Sequence, residues 1–250
     1  MNWSARDTLR GLGHLWRKRK NLPQLLNLAC HDDWEPATLS AARRLTARGH
    51  SLTARTGKPT DASGNPIPWY TYPFLDYIAG WETSDWAVLE FGSGQSTLYW
   101  AARTARVIAY ESKMEWFERN RQLSPANVEL RHFAGPETLA ELAHFPAVPR
   151  LVIIDGWCRM HCAAASLKAF GTRPLYILDN SDWLPQACTT LRDAGLMEFR
   201  FHGFGPVNGY AWATSLFASP ESLALLRLRE LADETPGGLP AGDYELQDLA

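Results

Sequence analysis

Residues 88–97 read VLEFGSGQST, and the fold class follows from how this stretch is parsed. A short apolar run from Val88 carries Glu90 near its end and breaks at Gly92. Ser93, Gly94, Gln95, Ser96 and Thr97 then lead into an apolar-periodic segment, giving the order strand, glycine turn, helix. The same rhythm repeats downstream. Strands are expected at 86–91 (WAVLEF), 106–111 (RVIAYE), 128–133 (VELRHF), 151–155 (LVIID), 175–179 (LYILD), 197–202 (MEFRFH) and 211–218 (AWATSLFA). Helices are expected between them at 96–104, 113–123, 136–145, 158–170 and 184–195. Alternation of this kind builds an α/β domain around a mostly parallel sheet. Only GFGPVNGY (203–210) joins the last two strands, too short for a crossover helix, so they should pair antiparallel.

Upstream, residues 1–68 read as an N-terminal helical extension, with helices at 4–20 and 35–49 and with Ser4 and Thr38 as candidate caps. Leu9, Leu12 and Trp16 share one helical face beside the basic WRKRK (16–20), which suits either packing on the main domain or peripheral membrane contact. Residues 56–74 (TGKPTDASGNPIPWYTYPF) are turn chemistry ending in aromatics. Trp69, Tyr70, Tyr72 and Phe74 would either line a pocket mouth or pack on the helix at 74–81. The α/β domain is expected over 69–232, followed by an acidic tail at 233–250.

Composition narrows the function classes. A chain of 250 residues with 46% hydrophobic content holds a sizeable core. The balance of 25 basic against 27 acidic residues, net charge -2, argues against nucleic acid as a partner. No apolar run reaches transmembrane length and no signal peptide is recognisable. Cys30, Cys158, Cys162 and Cys188 form no CxxC pair, which points to a reducing, cytoplasmic setting. Cys158, His161 and Cys162 lack a fourth ligand at zinc spacing.

In such sheets, ligands bind outside the carboxyl ends of the strands, near the point where strand order reverses. The first, second, fourth and fifth strands close on Glu90, Glu111, Asp155 and Asp179, the last followed by Asn180, so four acids should converge at one edge. A dinucleotide site would want a third glycine where Thr97 stands, and Glu90 would repel a pyrophosphate. No GK[ST] follows the glycines, and GSGQS is no nucleophile elbow. A ligand with a cationic aminoacyl end and no phosphate removes the conflict. S-adenosylmethionine is such a ligand, and Glu111, 21 positions after Glu90, suits its ribose diol.

From about Val88 to Ala218 the chain resembles the class I S-adenosylmethionine-dependent methyltransferases: LEFGSGQS is similar to their acidic-x-Gly-x-Gly motif and VIAYE to the strand whose terminal acid holds the ribose. The resemblance implies a Rossmann-like seven-stranded, mostly parallel sheet with a reversed last strand. It places Glu90, Gly92, Ser93 and Gly94 around the methionine part of the cofactor and Glu111 at the ribose, with Ser96 and Asp155 as further cofactor-binding candidates. The stretch PIPWYTYPF, with FHGFGPVNGYAWATS, also resembles an uncharacterised branch of small methyltransferases. A second resemblance, of IIDGWCRMHC and YILDNSD to the metal-dependent catechol-type O-methyltransferases, implies that Asp155, Asp179 and Asn180 hold a divalent cation, Mg²⁺ or Ca²⁺. That family's general-base lysine is replaced here by Cys158 and Arg159. Arg159 stays protonated and suits an anion or a carboxylate.

Candidate bases are Asp155, Asp179 and His202, with weaker claims for His161 and His132. The sequence therefore predicts O-methylation of a small-molecule or glycan-type hydroxyl. The absence of an Asn/Asp-Pro-Pro-Tyr/Phe motif after the fourth strand, where DGWC stands, weighs against base methylation. An NAD-dependent oxidoreductase and a non-catalytic binding protein on the same sheet are the alternatives.

Overall fold

The computed structural model describes residues 34–229. The described residues from Arg48 onward belong to one compact unit, and helix α1 (Trp34–Ala47) belongs to another. The helix expected at 4–20 and the acidic tail lie outside the described residues. No described helix is long and apolar enough to cross a membrane.

The larger unit carries all seven expected strands: β1 (Ala87–Phe91), β2 (Arg106–Glu111), β3 (Val128–His132), β4 (Leu151–Ile154), β5 (Leu175–Asp179), β6 (Met197–Phe204) and β7 (Ala211–Ala218). They form one sheet in the order β3-β2-β1-β4-β5-β7-β6. Only β7 is reversed, pairing antiparallel with both β5 and β6. The sheet is therefore mixed, mostly parallel and Rossmann-like, with its strand order reversing between β1 and β4. The central strands β4 and β5 are buried on both faces, which is why they read as unbroken apolar runs. Edge strand β6 instead alternates apolar and polar residues and carries Glu198 and Arg200, charges that discourage edge pairing.

Helices cover both faces. On one, Leu89, Phe91, Val152, Ile154 and Leu178 pack with α6 (Arg159–Phe170) and α7 (Pro185–Asp193). On the other, Val88, Ile153 and Ile177 pack with Trp100 of α4 (Gln95–Ala101) and with Phe74 and Ile78 of α3 (Tyr72–Ala79). Helix α5 (Met114–Leu123) lies against β3 and β2. The expected helix at 136–145 is a 3₁₀ helix over Pro136–His144. Its two buried residues, Leu139 and Leu142, are three apart, and three residues per turn places them on one side.

Short α2 (His50–Thr56) and the segment after it belong to this unit. Thr71 ties that segment to the sheet: its N–H donates to Thr214 Oγ1 at 3.1 Å and its hydroxyl to the Phe201 carbonyl at 3.1 Å. Of the four aromatics before α3 and at its start, Tyr70, Tyr72 and Phe74 are buried and only Trp69 is partly open.

Candidate functional site

Side chains alternate along a strand, and this period places Glu90, Glu111, Asp155 and Asp179 on the same face of the sheet. Their heights differ. Glu90 is level with Ala109 of β2, two residues before Glu111, so it sits about 7 Å deeper along the strand direction.

That depth decides its role. Glu90 is fully buried, and both carboxylate oxygens accept hydroxyl donors from the first turn of α4, Ser96 Oγ–H on one and Thr97 Oγ1–H at 2.6 Å on the other. Thr97 Oγ1 also accepts from Gly94 N–H at 3.0 Å. Burial pushes the Glu90 carboxyl up to about 7, against the pull of these two hydroxyls. Glu90 is not among the residues that line the cavity beside the glycine loop, where a ligand contact was expected. It fastens α4 to β1.

The switch point is closed by two glycines in backbone contact. Gly92 has φ +103°, and a Cβ there would stand 3.1 Å from Gly156; a Cβ on Gly156 would stand 2.8 Å from Gly92 N. This approach brings the loops after β1 and β4 together and opens a cavity of about 790 Å³ over the strand ends. Gly92, Ser93, Gly94, Ser96, Glu111, Asp155, Arg159, Asp179 and Asn180 all line it. Glu111 is anchored across the loop: Oε1 accepts Lys113 N–H at 2.9 Å, and Oε2 accepts Ser93 N–H at 3.2 Å and Ser93 Oγ–H at 2.8 Å. Asn120 Nδ2–H donates to Ser93 Oγ at 2.8 Å. Gln95, first residue of α4, has a buried Oε1 facing no donor among the described residues.

On the other side, Arg159 knits the loops after β4 and β5. Its guanidinium donates to the Gly156 carbonyl (2.9 Å), the Asp179 carbonyl (2.5 Å) and Asn180 Oδ1 (2.9 Å), and pairs with Asp155 Oδ1 at 3.1 Å. Asp179 Oδ1 accepts from Trp212 Nε1 at 3.0 Å and from Thr214 Oγ1 at 2.6 Å, while Oδ2 has no protein partner among the described residues. Burial raises both Asp155 and Asp179. Arg159 opposes the rise at Asp155, and the neighbouring Asp155 charge adds to it at Asp179.

These contacts do not fit the expected divalent cation. Asn180 Oδ1 is held by a guanidinium, and the Asp155 carboxylate is compensated by the same fixed charge, so a cation already binds this donor set. Among the described residues no three His, Cys, Asp or Glu side chains are grouped to hold a metal, which covers Cys158, His161 and Cys162 as well. Cys162 is buried, and burial pushes its thiol up to about 12.

The histidines fall away from the cavity. His202 sits exposed on edge strand β6, opposite Ala213. His161 lines a separate apolar groove between α6 and the 3₁₀ helix, and His132 rests edge-on to Phe117 at 5.7 Å. None of the three lines the cavity. Its mouth is instead aromatic, with Trp69, Trp157, Trp183 and Tyr210. The sequence carried a signal for two of these, since Trp157 follows Asp155 by two residues and Trp183 follows Asp179 by four.

No protein-family model and no curated protein sequence matches the chain. Solved structures with some likeness include a precorrin-6y C5,15-methyltransferase from Geobacter metallireducens at 16% identity, covering 55% of this chain and 82% of that one, with a TM-score of 0.44. A precorrin 8w decarboxylase from Methanobacterium thermoautotrophicum matches at 16% identity over 64% of this chain and 95% of that one, TM-score 0.43. The N-methyltransferase NodS from Bradyrhizobium japonicum, in complex with S-adenosyl-L-homocysteine, matches at 13% identity over 55% and 79%, TM-score 0.41.

Proposed function

We propose that the protein is an S-adenosylmethionine-dependent methyltransferase acting on the hydroxyl of a small-molecule or glycan-type acceptor. The observation that carries this is the division of labour between two acids. Glu90 is taken up by two hydroxyls of α4, whereas Glu111 opens to the cavity as an anchored acceptor pair of the kind a ribose diol needs.

The residues present suit the cofactor. A ribose diol would bond Glu111 by displacing the Ser93 hydroxyl, the one replaceable donor on Oε2. The Gly92–Gly94 turn lets the aminoacyl part approach the backbone, and an ammonium would satisfy the donorless Gln95 Oε1. When bound, S-adenosylmethionine supplies the methyl group on a positively charged sulfur. The chain's part is to orient the acceptor hydroxyl and accept its proton. Asp179 suits the role of proton acceptor once ionised, because Trp212 and Thr214 fix the carboxylate through Oδ1, Oδ2 is free of protein donors among the described residues, and the basicity that burial raises then favours proton capture. Asp155, paired with Arg159, is the weaker base.

Titration calorimetry tests the reading. S-adenosylhomocysteine should bind one to one, and NAD should give no heat. Binding of NAD with no response to S-adenosylhomocysteine would overturn it.

A further inference from the structure

Three of the aromatic side chains that line the cavity are left largely in solvent. Trp157 and Trp183 are each 58% exposed and Tyr210 is 50% exposed, costly positions for rings that commonly bury. The Trp183 and Tyr210 centroids lie 6.4 Å apart with planes tilted by 34°, so the two rings form a broad, shallow platform rather than a closed slot. Tyr210 leans edge-on to Trp212 at 6.0 Å, and Trp212 Nε1 is the donor that fixes Asp179. The platform is thus one ring away from the carboxylate proposed as base.

The loops that contribute residues to the cavity also hold non-glycine residues at positive φ. Among the described residues the non-glycine positions with positive φ are Cys158 (57°), Asn180 (52°) and Val207 (70°), one in each loop that follows β4, β5 and β6. For a β-branched residue this is a genuine outlier, and such outliers gather where a side chain must be aimed. Val207 is held there by a hydrogen bond from its N–H to Thr53 Oγ1 at 2.8 Å, Thr53 being fully buried in α2. Two residues earlier, Gly205 packs so closely that a Cβ would lie 2.4 Å from both the Tyr70 carbonyl and the Trp212 ring. Pinned at both places, the loop presents Asn208 and Tyr210 to the cavity. The Asn208 amide has no side-chain hydrogen bond among the described residues and offers both a donor and an acceptor.

We infer that Trp183, Tyr210 and Asn208 form the acceptor subsite and that the acceptor is a saccharide. A pyranose has an apolar C–H face that lies on open aromatic platforms, and its rim of hydroxyls needs paired donors and acceptors of the kind an amide supplies. A phenol buries both faces of its ring and is better served by an enclosed slot. The inference rests on the methyl-transfer reading for one point only, that the Glu111 end of the cavity belongs to the cofactor.

The test is a titration of tryptophan fluorescence with methyl glucoside, methyl galactoside, methyl rhamnoside, cellobiose, maltose and chitobiose, with catechol and caffeate as a phenolic arm. S-adenosylhomocysteine affinity is measured separately by calorimetry. At least one saccharide should give a saturable response that weakens tenfold or more in Trp183→Ala and in Tyr210→Ala. Trp183→Tyr should restore it, and S-adenosylhomocysteine affinity should stay within twofold throughout. Saturation by a phenol and by no saccharide overturns the inference, as does saturation by none of the eight. A saccharide response lost in the two alanine variants, in a protein that ignores S-adenosylhomocysteine, supports the subsite and refutes the methyl-transfer reading instead.

Discussion

Gly92 and Val207 both hold positive φ, at +103° and +70°, in loops that contribute residues to one cavity, and glycine takes that conformation freely where a β-branched residue does not. On the Gly92 side the loop after β1 is relaxed: glycine takes the turn, Thr97 and Ser93 satisfy nearby groups, and the acids have defined partners. On the Val207 side the chain accepts strain at Cys158 and Val207 and leaves large rings in solvent. The first arrangement grips a ligand through backbone and fixed carboxylates, which suits a cofactor of constant shape. The second grips through side chains on pinned loops, which suits an acceptor that differs from one related protein to the next.

The largest effect should come from Gly92→Ala, which would erase the relaxed side of this contrast. The new Cβ meets Gly156 backbone at 3.1 Å and the turn loses its only unstrained residue type, together about 2–4 kcal/mol of stability. S-adenosylhomocysteine affinity should fall at least 30-fold by calorimetry. Wild-type affinity in this variant would mean that the two-loop contact is not what shapes the cofactor side.

Next in size is the response to pH. Glu90, Asp155 and Asp179 all bind their protons more tightly folded than unfolded, because burial opposes ionisation. A raised folded pKa gives stability that is complete below the unfolded value of about 4 and is lost as pH rises through the folded one. Chemical denaturation should therefore show stability falling between about pH 4 and pH 8, by a total on the order of a few kcal/mol. Asp179→Asn should flatten part of that slope. A stability that climbs over the same window would show that these carboxyls are solvated.

A smaller effect separates the two acids of the relaxed side. Glu111→Gln should weaken S-adenosylhomocysteine binding about 10- to 100-fold, as loss of a charged hydrogen-bonding group does. Glu90→Gln should leave affinity within threefold, since its carboxylate faces α4 and not the cavity. The reverse order would restore Glu90 to the ligand.

The same contrast marks what could be read from residues alone. Strands, helices and the reversed β7 were legible because burial on both faces writes unbroken apolar runs and because eight residues cannot form a crossover. Glu111 was legible as a strand-end acid. The depth of Glu90 was not legible, because it depends on register, Glu90 opposite Ala109, and no local pattern encodes register between parallel strands. The metal reading took Asp155, Asp179 and Asn180 as free ligands, whereas Arg159, four residues beyond Asp155 on α6, binds two of them. The strained side was least legible. Val207 at positive φ contradicts its own preference, and only the fold reveals the buried Thr53 that holds it, 154 residues away in sequence.

Val207→Gly carries the smallest expected effect and bears most directly on the contrast. Relief of the left-handed β-branched backbone favours the folded state by about 1–3 kcal/mol. Against it stand the greater freedom of glycine in the unfolded chain, about 0.5–1 kcal/mol, and some lost packing of a half-buried side chain. The net should be a gain of no more than about 1 kcal/mol, a rise of roughly 2–4 °C in Tm for a chain of this size. Val207→Asn, tolerant of this conformation, should fall between glycine and valine. Saccharide binding should weaken in the glycine variant while S-adenosylhomocysteine binding does not, because the loosened loop aims Asn208 and Tyr210 and touches nothing on the Glu111 side. A glycine variant less stable than wild type by more than about 1 kcal/mol would mean that Val207 is held by packing and stores no strain.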